Sequence, residues 1–230
     1  MKRDRTLSEL LAEAQQRSAL LTESLPALVD QADISHIAKT PYNVLVLREL
    51  FIWRIEEFAR VGCELYRTAQ LACALTLTRS CVETVAAAWY FNDLLQRVVA
   101  NSDVTGLHEK TMRLLLGSKS GITDLPAINV LSFVDAMDRK IPKFRKAYDS
   151  LSEYAHPNWS GMMRLYSKHE EKKMLTEFGR YVRDHTSVAS SGLSSLIGSL
   201  AAFEFVYGEI GNAMPNIVEL CEAEIKTRKA

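Results

Sequence analysis

Three groups of side chains in this sequence have the types and spacing that chemistry needs. The first is Arg79 and Glu83, four residues apart within the otherwise apolar stretch TLTRSCVETVAAAWYF. Residues at that spacing share one helix face. Charges in such a setting need partners, because taking an ion out of water is expensive. The pair reads either as an ion pair that fixes helix register or as the lining of a polar pocket that orients a catalytic or binding group. Arginine before glutamate is the weaker order for simple helix stabilisation, which favours the longer-range role.

The second group lies in KFRKAYDSLSEYAHPNWSG, where Tyr148, Ser152 and His156 recur every four residues. On a continuous helix they stack in one polar stripe. A histidine changes charge near neutral pH, so His156 suits general acid or base duty. Asn158, just past Pro157, adds an amide in a loop held by rigid helices. The alternative is a histidine that caps its helix among surface polar neighbours. Trp159 beside it either packs over the site or stacks a base.

The third group is two arginine–histidine pairs with five-residue spacing, Arg164–His169 and Arg180–His185. Short spacings of this kind also arise by chance. Arg164–His169 crosses an expected hairpin, whereas Arg180–His185 falls just before a helix and is the better of the two.

Other chemistries lack their signatures. There is no P-loop, no GxGxxG after a strand, no HExxH and no GxSxG. Cys63, Cys73, Cys81 and Cys221 form no CxxC pair and read as reduced core thiols of a cytosolic protein. HEEK reads as a solvated turn. No metal and no cofactor is expected.

The elements that must position these groups are mostly helices. Thr6 is the expected N-cap of a helix running to about residue 30, with a kink or break at Pro26. Pro41 then falls in the first turn of a helix over about 42–67. Its apolar stripe is Val44, Leu47, Phe51, Ile55, Phe58, Gly62 and Leu65, with Arg48, Glu49, Glu56, Glu57 and Arg60 on other faces. A long helix over about 69–99 is uncharged on every side in its first half, as a central helix would be. Trp53 and Trp89 are expected in the core.

Shorter helices follow over about 104–116, 129–139 and 143–155, the last ended by Pro157. GMMRLYSK and KMLTEFG alternate, with Met163, Leu165 and Ser167 on one arm and Met174, Thr176 and Phe178 on the other. This predicts one short β-hairpin near residues 162–179. Two closing helices are expected over about 186–211 and 214–227, with Pro215 starting the second. From Thr186 to Phe203 there is no charge, but six serines make a buried helix a better reading than a membrane span. The expected fold is an all-α antiparallel helical bundle in a single domain, residues 1–230, soluble and cytoplasmic.

Lysine plus arginine equals aspartate plus glutamate, 28 of each. Proteins that hold nucleic acid over a long track carry a basic excess, so any such contact here must be local. The start, MKRDRTLSELLAEAQQ, has no apolar segment behind its basic residues, so no secretory signal is expected there.

R-S-C-V-E-T-V in a long helix, then Y-D-S-L-S-E-Y-A-H-P-N-W-S-G and a later G-R, resembles uncharacterised bacterial families allied to the HEPN superfamily. The similarity covers about residues 75–185, and Y-x-x-L-S-E-x-x-H-P-N is its most specific element. It implies a helical bundle, commonly a homodimer, and an RNA-directed role. Many members are metal-independent RNases of toxin–antitoxin or phage-defence systems, so a protein antitoxin is an implied partner; others are non-catalytic binding modules. In an RNase of this type His156 would be the acid or base, Arg79 would stabilise phosphate charge and Glu83 would hold Arg79, with Tyr148, Ser152 and Asn158 in support. The chain departs from the family pattern, which places an arginine four to six residues before the histidine. Those places before His156 hold Ser150, Leu151 and Ser152. The rival reading is a regulatory or interaction module in which the same residues only tie helices together.

Overall fold

Thr6 starts the first helix with a capping box: its hydroxyl accepts the Glu9 N–H while the Glu9 carboxylate accepts the Thr6 N–H. In the computed structural model, which describes residues 5–229, this helix is α1, Leu7–Glu23. It stops short of the expected end because Pro26 cannot extend it. The following segment runs irregularly to α2, Lys39–Arg67, which carries Pro41 in its first turn as anticipated.

Most of the α2 stripe is buried as expected, with Phe58 and Leu65 half-buried, and two acidic residues on its other faces are buried as well. Glu49 is buried between Arg48 and the Tyr207 hydroxyl, and Glu56 is buried between Thr22 and Arg60. Each has the partners that burial demands: Arg48 and Arg60 from α2 itself, and the Tyr207 and Thr22 hydroxyls from other helices, which no local pattern reveals. Trp53, expected in the core, is half exposed and donates its indole N–H to the Pro26 carbonyl at 3.0 Å.

α3, Leu71–Asn101, is central, packing against α2, α5 (Val130–Asp138), α6 (Phe144–Ala155) and the last helix, α8 (Thr186–Lys229). α4, Leu107–Leu116, leans on α2. The core closes around Leu75, Phe91, Leu95, Leu196, Leu200 and Phe203. Leu71–Asn101 and Thr186–Arg228 are each long and apolar enough to cross a membrane, yet half of each apolar window is buried in the bundle.

The last helix corrects one expectation. α8 runs unbroken from Thr186 to Lys229 with Pro215 inside it. One apolar face continues through the proline, with Val206, Ile210, Ala213, Ile217 and Cys221 all buried. Packing of that face against α1 and α2 keeps the axis continuous although one backbone hydrogen bond is lost.

The hairpin is present but its first arm starts later than the alternation suggests. Trp159–Met163 forms a π-helical turn and Arg164–Tyr166 a short helix α7, so Met163 and Leu165 are helical. The strands are β1, Ser167–Glu170, and β2, Leu175–Phe178, antiparallel with Ser167 opposite Phe178 and Glu170 opposite Leu175. Local bonds hold the turn: the Asn158 side chain accepts the Gly161 N–H at 3.0 Å, and the Ser167 hydroxyl donates to the Met163 carbonyl at 2.8 Å. A Cβ at Gly161 would lie 2.1 Å from the His156 carbonyl oxygen, so only glycine fits there.

Three cysteines, Cys63, Cys81 and Cys221, are buried as expected; Cys73 is exposed.

Candidate functional site

α6 lies along α3 so that Tyr148 reaches both charged residues of the first group. Arg79 Nη2 donates to the Tyr148 hydroxyl at 3.0 Å, and that hydroxyl donates to Glu83 Oε1 at 3.0 Å. Arg79 and Glu83 also pair directly at 3.1 Å. The guanidinium carbon lies 5.3 Å from the centre of the Tyr148 ring, within cation–π range. Burial works against the charge on Arg79, but the Tyr148 bond and the Glu83 charge outweigh it, so its pKa lies above the ordinary arginine value. Tyr148 is buried and uses its hydroxyl as acceptor and donor at once. Two buried polar atoms of this group have no partner among the described residues, Arg79 Nε and Ser152 Oγ.

His156 stands apart from this cluster. It is the C-cap of α6, with its N–H donating to the Ser152 carbonyl at 3.2 Å, and its side chain is exposed. Two helical turns separate it from Tyr148, about 12 Å of rise. It lines an open apolar groove with Leu65, Cys73, Leu77 and Met162 rather than the Arg79 cluster. Asn158 uses its amide within the turn, donating to Glu153 at 2.9 Å and accepting from Gly161. The structure therefore joins Arg79, Glu83 and Tyr148, and gives Asn158 a capping role. No hydrogen bond links His156 to Arg79 or Glu83 among the described residues.

The two spaced arginine–histidine pairs have opposite fates. Arg164 and His169 part company: Arg164 lies beside the Tyr154 and Trp159 rings, while His169 pairs with Thr176 across the hairpin at 3.0 Å. Arg180 and His185 instead line one cavity of about 120 Å³, together with Leu71, Cys73, Leu165 and Tyr166. The cavity is well below the roughly 300–1,000 Å³ that encloses a drug-sized ligand, so it fits one small group.

Its electrostatics favour an anion. The first turn of α3, Leu71 to Cys73, forms one wall, and its N-cap Gln70 supplies no side-chain hydrogen bond. A helix N-terminus of this kind carries free N–H groups and partial positive charge. Arg180 is exposed at the rim, and His185 Nε2 is buried without a partner among the described residues.

The backbone around His185 is fixed by the start of α8. Asp184 accepts the Thr186 hydroxyl at 2.6 Å and the Thr186 N–H at 2.9 Å, and the His185 carbonyl accepts the Ala189 N–H. The Thr186 hydroxyl, then its N–H, hold the Asp184 carboxyl below the ordinary aspartate range.

Neither a protein-family model, a curated protein nor a solved structure matches this chain. Its functional reading rests on its own residues. Among the described residues no three histidine, cysteine, aspartate or glutamate side chains gather as a metal site. Cys73, Tyr166 and the first turn of α3 were not marked by any motif. Their one signal is the run AQLAC, an uncapped helix start that carries no acidic residue in its first turn.

Proposed function

We propose that this chain is a HEPN-like, RNA-directed helical protein that takes a phosphate group in the cavity between Arg180 and His185. The observation that carries the reading is that these two side chains share one cavity with a helix N-terminus. Arg180 and the α3 N–H groups would neutralise phosphate charge. His185 would move a proton to or from a ribose or leaving-group oxygen. The resulting cleavage has a 2′-hydroxyl attack the adjacent phosphorus and expel the 5′-oxygen. No metal is required in this scheme. The cavity supports this assignment over the His156–Arg79–Glu83 site, because His156 lines a different groove. Arg79, Glu83 and Tyr148 act here as positioning residues that lock α6 to α3. In this reading the protein works in a bacterial cytoplasm, in the toxin–antitoxin or phage-defence setting that the resemblance implies.

The second reading, a non-catalytic interaction module, is favoured by the mutual hydrogen bonding of Arg79, Glu83 and Tyr148, which suffices as a structural tie.

The test is cleavage and binding of mixed-sequence RNA in EDTA. Wild type should cleave, and Arg180→Ala or His185→Ala should lose about a hundredfold or more, while His156→Ala stays near wild type. Loss in His156→Ala alone would move the site to His156. Binding without cleavage, weakened by Arg180→Ala, would favour the module. No RNA binding by any form would sink the RNA reading.

A further inference from the structure

A second cavity, of about 250 Å³, lies between α6, α7 and α8 and shares no lining residue with the Arg180–His185 cavity. Its polar lining is Arg164 with four serines, Ser150 from α6 and Ser187, Ser191 and Ser195 from α8. Its floor is apolar, with Leu75, Leu151 and Val188 buried. The α8 serines are spaced by four residues, so they stack on one helix face. Gly192 lets that part of α8 come in close. A Cβ there would lie 2.1 Å from the Tyr66 hydroxyl and 2.6 Å from the Leu75 side chain.

The charge in this cavity is unmet. Arg79 and Arg145, on neighbouring helices, each pair with a carboxylate. Arg164 is half-buried, yet no carboxylate lies within ion-pair distance of it among the described residues, and no acidic side chain lines the cavity. The Tyr154 and Trp159 rings, centred 5.7 and 6.0 Å from its guanidinium carbon, hold its direction but leave its charge in place. Ser195 donates to the Ser191 carbonyl at 3.0 Å, whereas the hydroxyls of Ser150, Ser187 and Ser191 have no hydrogen-bond partner among the described residues. A guanidinium fork beside free hydroxyl donors, with no counter-charge, suits an oxyanion.

The donors select which oxyanion. A carboxylate presents two oxygens, both engaged by one arginine fork. A phosphate monoester presents three, so two can take the fork while the third takes serine hydroxyls. The volume is a little under the roughly 300–1,000 Å³ of sites for drug-sized ligands, which leaves room for a small body beyond the phosphate. The serine row spans two helical turns, about 12 Å of rise, and offers that body further hydroxyl partners.

We infer that Arg164 and the serine row of α8 bind a small organic phosphate monoester, with its phosphate on Arg164 and its polar body along Ser187 and Ser191. The inference does not rest on the RNA reading, which uses the other cavity.

Amide NMR spectra of the full chain, titrated with glycerol 3-phosphate at fixed ionic strength, test this. The Ser150, Arg164, Ser187 and Ser191 amides should shift saturably, with a Kd of about 1 mM or lower. Arg164→Gln should weaken binding by roughly tenfold or more, as loss of a charged hydrogen-bond partner does. Arg164→Lys, which keeps the charge but not the fork, should weaken it by less. Ser187→Ala with Ser191→Ala should weaken it by about fivefold, with unchanged far-UV circular dichroism. Arg180→Gln should leave these shifts as in wild type, because phosphate in the other cavity would move the Leu71 and Cys73 amides instead. Absence of saturable shifts at about 20 mM overturns the proposal, as does wild-type affinity in both Arg164 variants or loss of the shifts in Arg180→Gln. Equal affinity for sodium acetate overturns the phosphate assignment. An RNA oligonucleotide that moves these amides when glycerol 3-phosphate does not assigns Arg164 to an RNA backbone and overturns it too. RNA cleavage is read separately, so either proposal can fail alone.

Discussion

At the scale of single residues, the Tyr148 hydroxyl serves a guanidinium and a carboxylate at the same time. Arg79 and Glu83 already touch, so the phenol does not create their pairing; it closes a ring of three contacts and ties it to a second helix. Removing the hydroxyl in Tyr148→Phe keeps the buried ring and loses one donor and one acceptor. The expected loss is about 1–2 kcal/mol, read as a lower urea midpoint at constant slope. A midpoint equal to wild type would mean that water satisfies both charges unaided. The pairing of Arg79 with Glu83 was legible from their spacing, and Tyr148 from its place in a polar stripe. Their meeting was not, because 65 residues separate Glu83 from Tyr148.

At the scale of elements, α8 shows where a local rule yields to packing. Pro215 has no N–H to donate, and its ring crowds the carbonyl one turn back, at Gly211. The side chain is exposed, so it contributes little packing in return, while Ala213 and Ile217 on the inner face are buried. Pro215→Ala should therefore stabilise the protein by about 1–3 kcal/mol, measured as a higher urea midpoint with equal or greater helicity. A loss of stability would show instead that the proline shapes α8 for its partners. The hairpin is the converse case: its existence was readable from alternation, but its first arm was displaced by a capped π turn that Asn158, Gly161 and Ser167 build together.

At the scale of the whole molecule, burial sets the response to alkali. Desolvation pushes the thiols of Cys63 and Cys221 up to about 11 and that of Cys81 up to about 12, from an ordinary value of 9.0. Between the unfolded and folded values the native state holds more protons than the unfolded state, so stability falls as pH rises. It should be unaffected by these groups below about pH 8.5 and then decline by about 1.4 kcal/mol per pH unit for each thiol. Urea unfolding at pH 8, 9 and 10 measures this, and Cys81→Ala should make the decline shallower. An identical slope in that variant would assign alkaline loss to other groups. The exposed Cys73 does not share the burial of the other three.

The sequence alone determined most of the long helices, the capping of the first at Thr6, the central place of the third and the presence of one hairpin. These depend on periodicity and neighbours a few residues away, which a linear reading can see. Tertiary structure decided which candidate residues meet. Arg79 and Glu83 found Tyr148, His156 was left facing another groove, and Arg180 and His185 came to share a cavity with the start of α3. Such meetings depend on how helices distant in sequence pack, and that is fixed by the shared burial of their apolar faces rather than by any spacing along the chain.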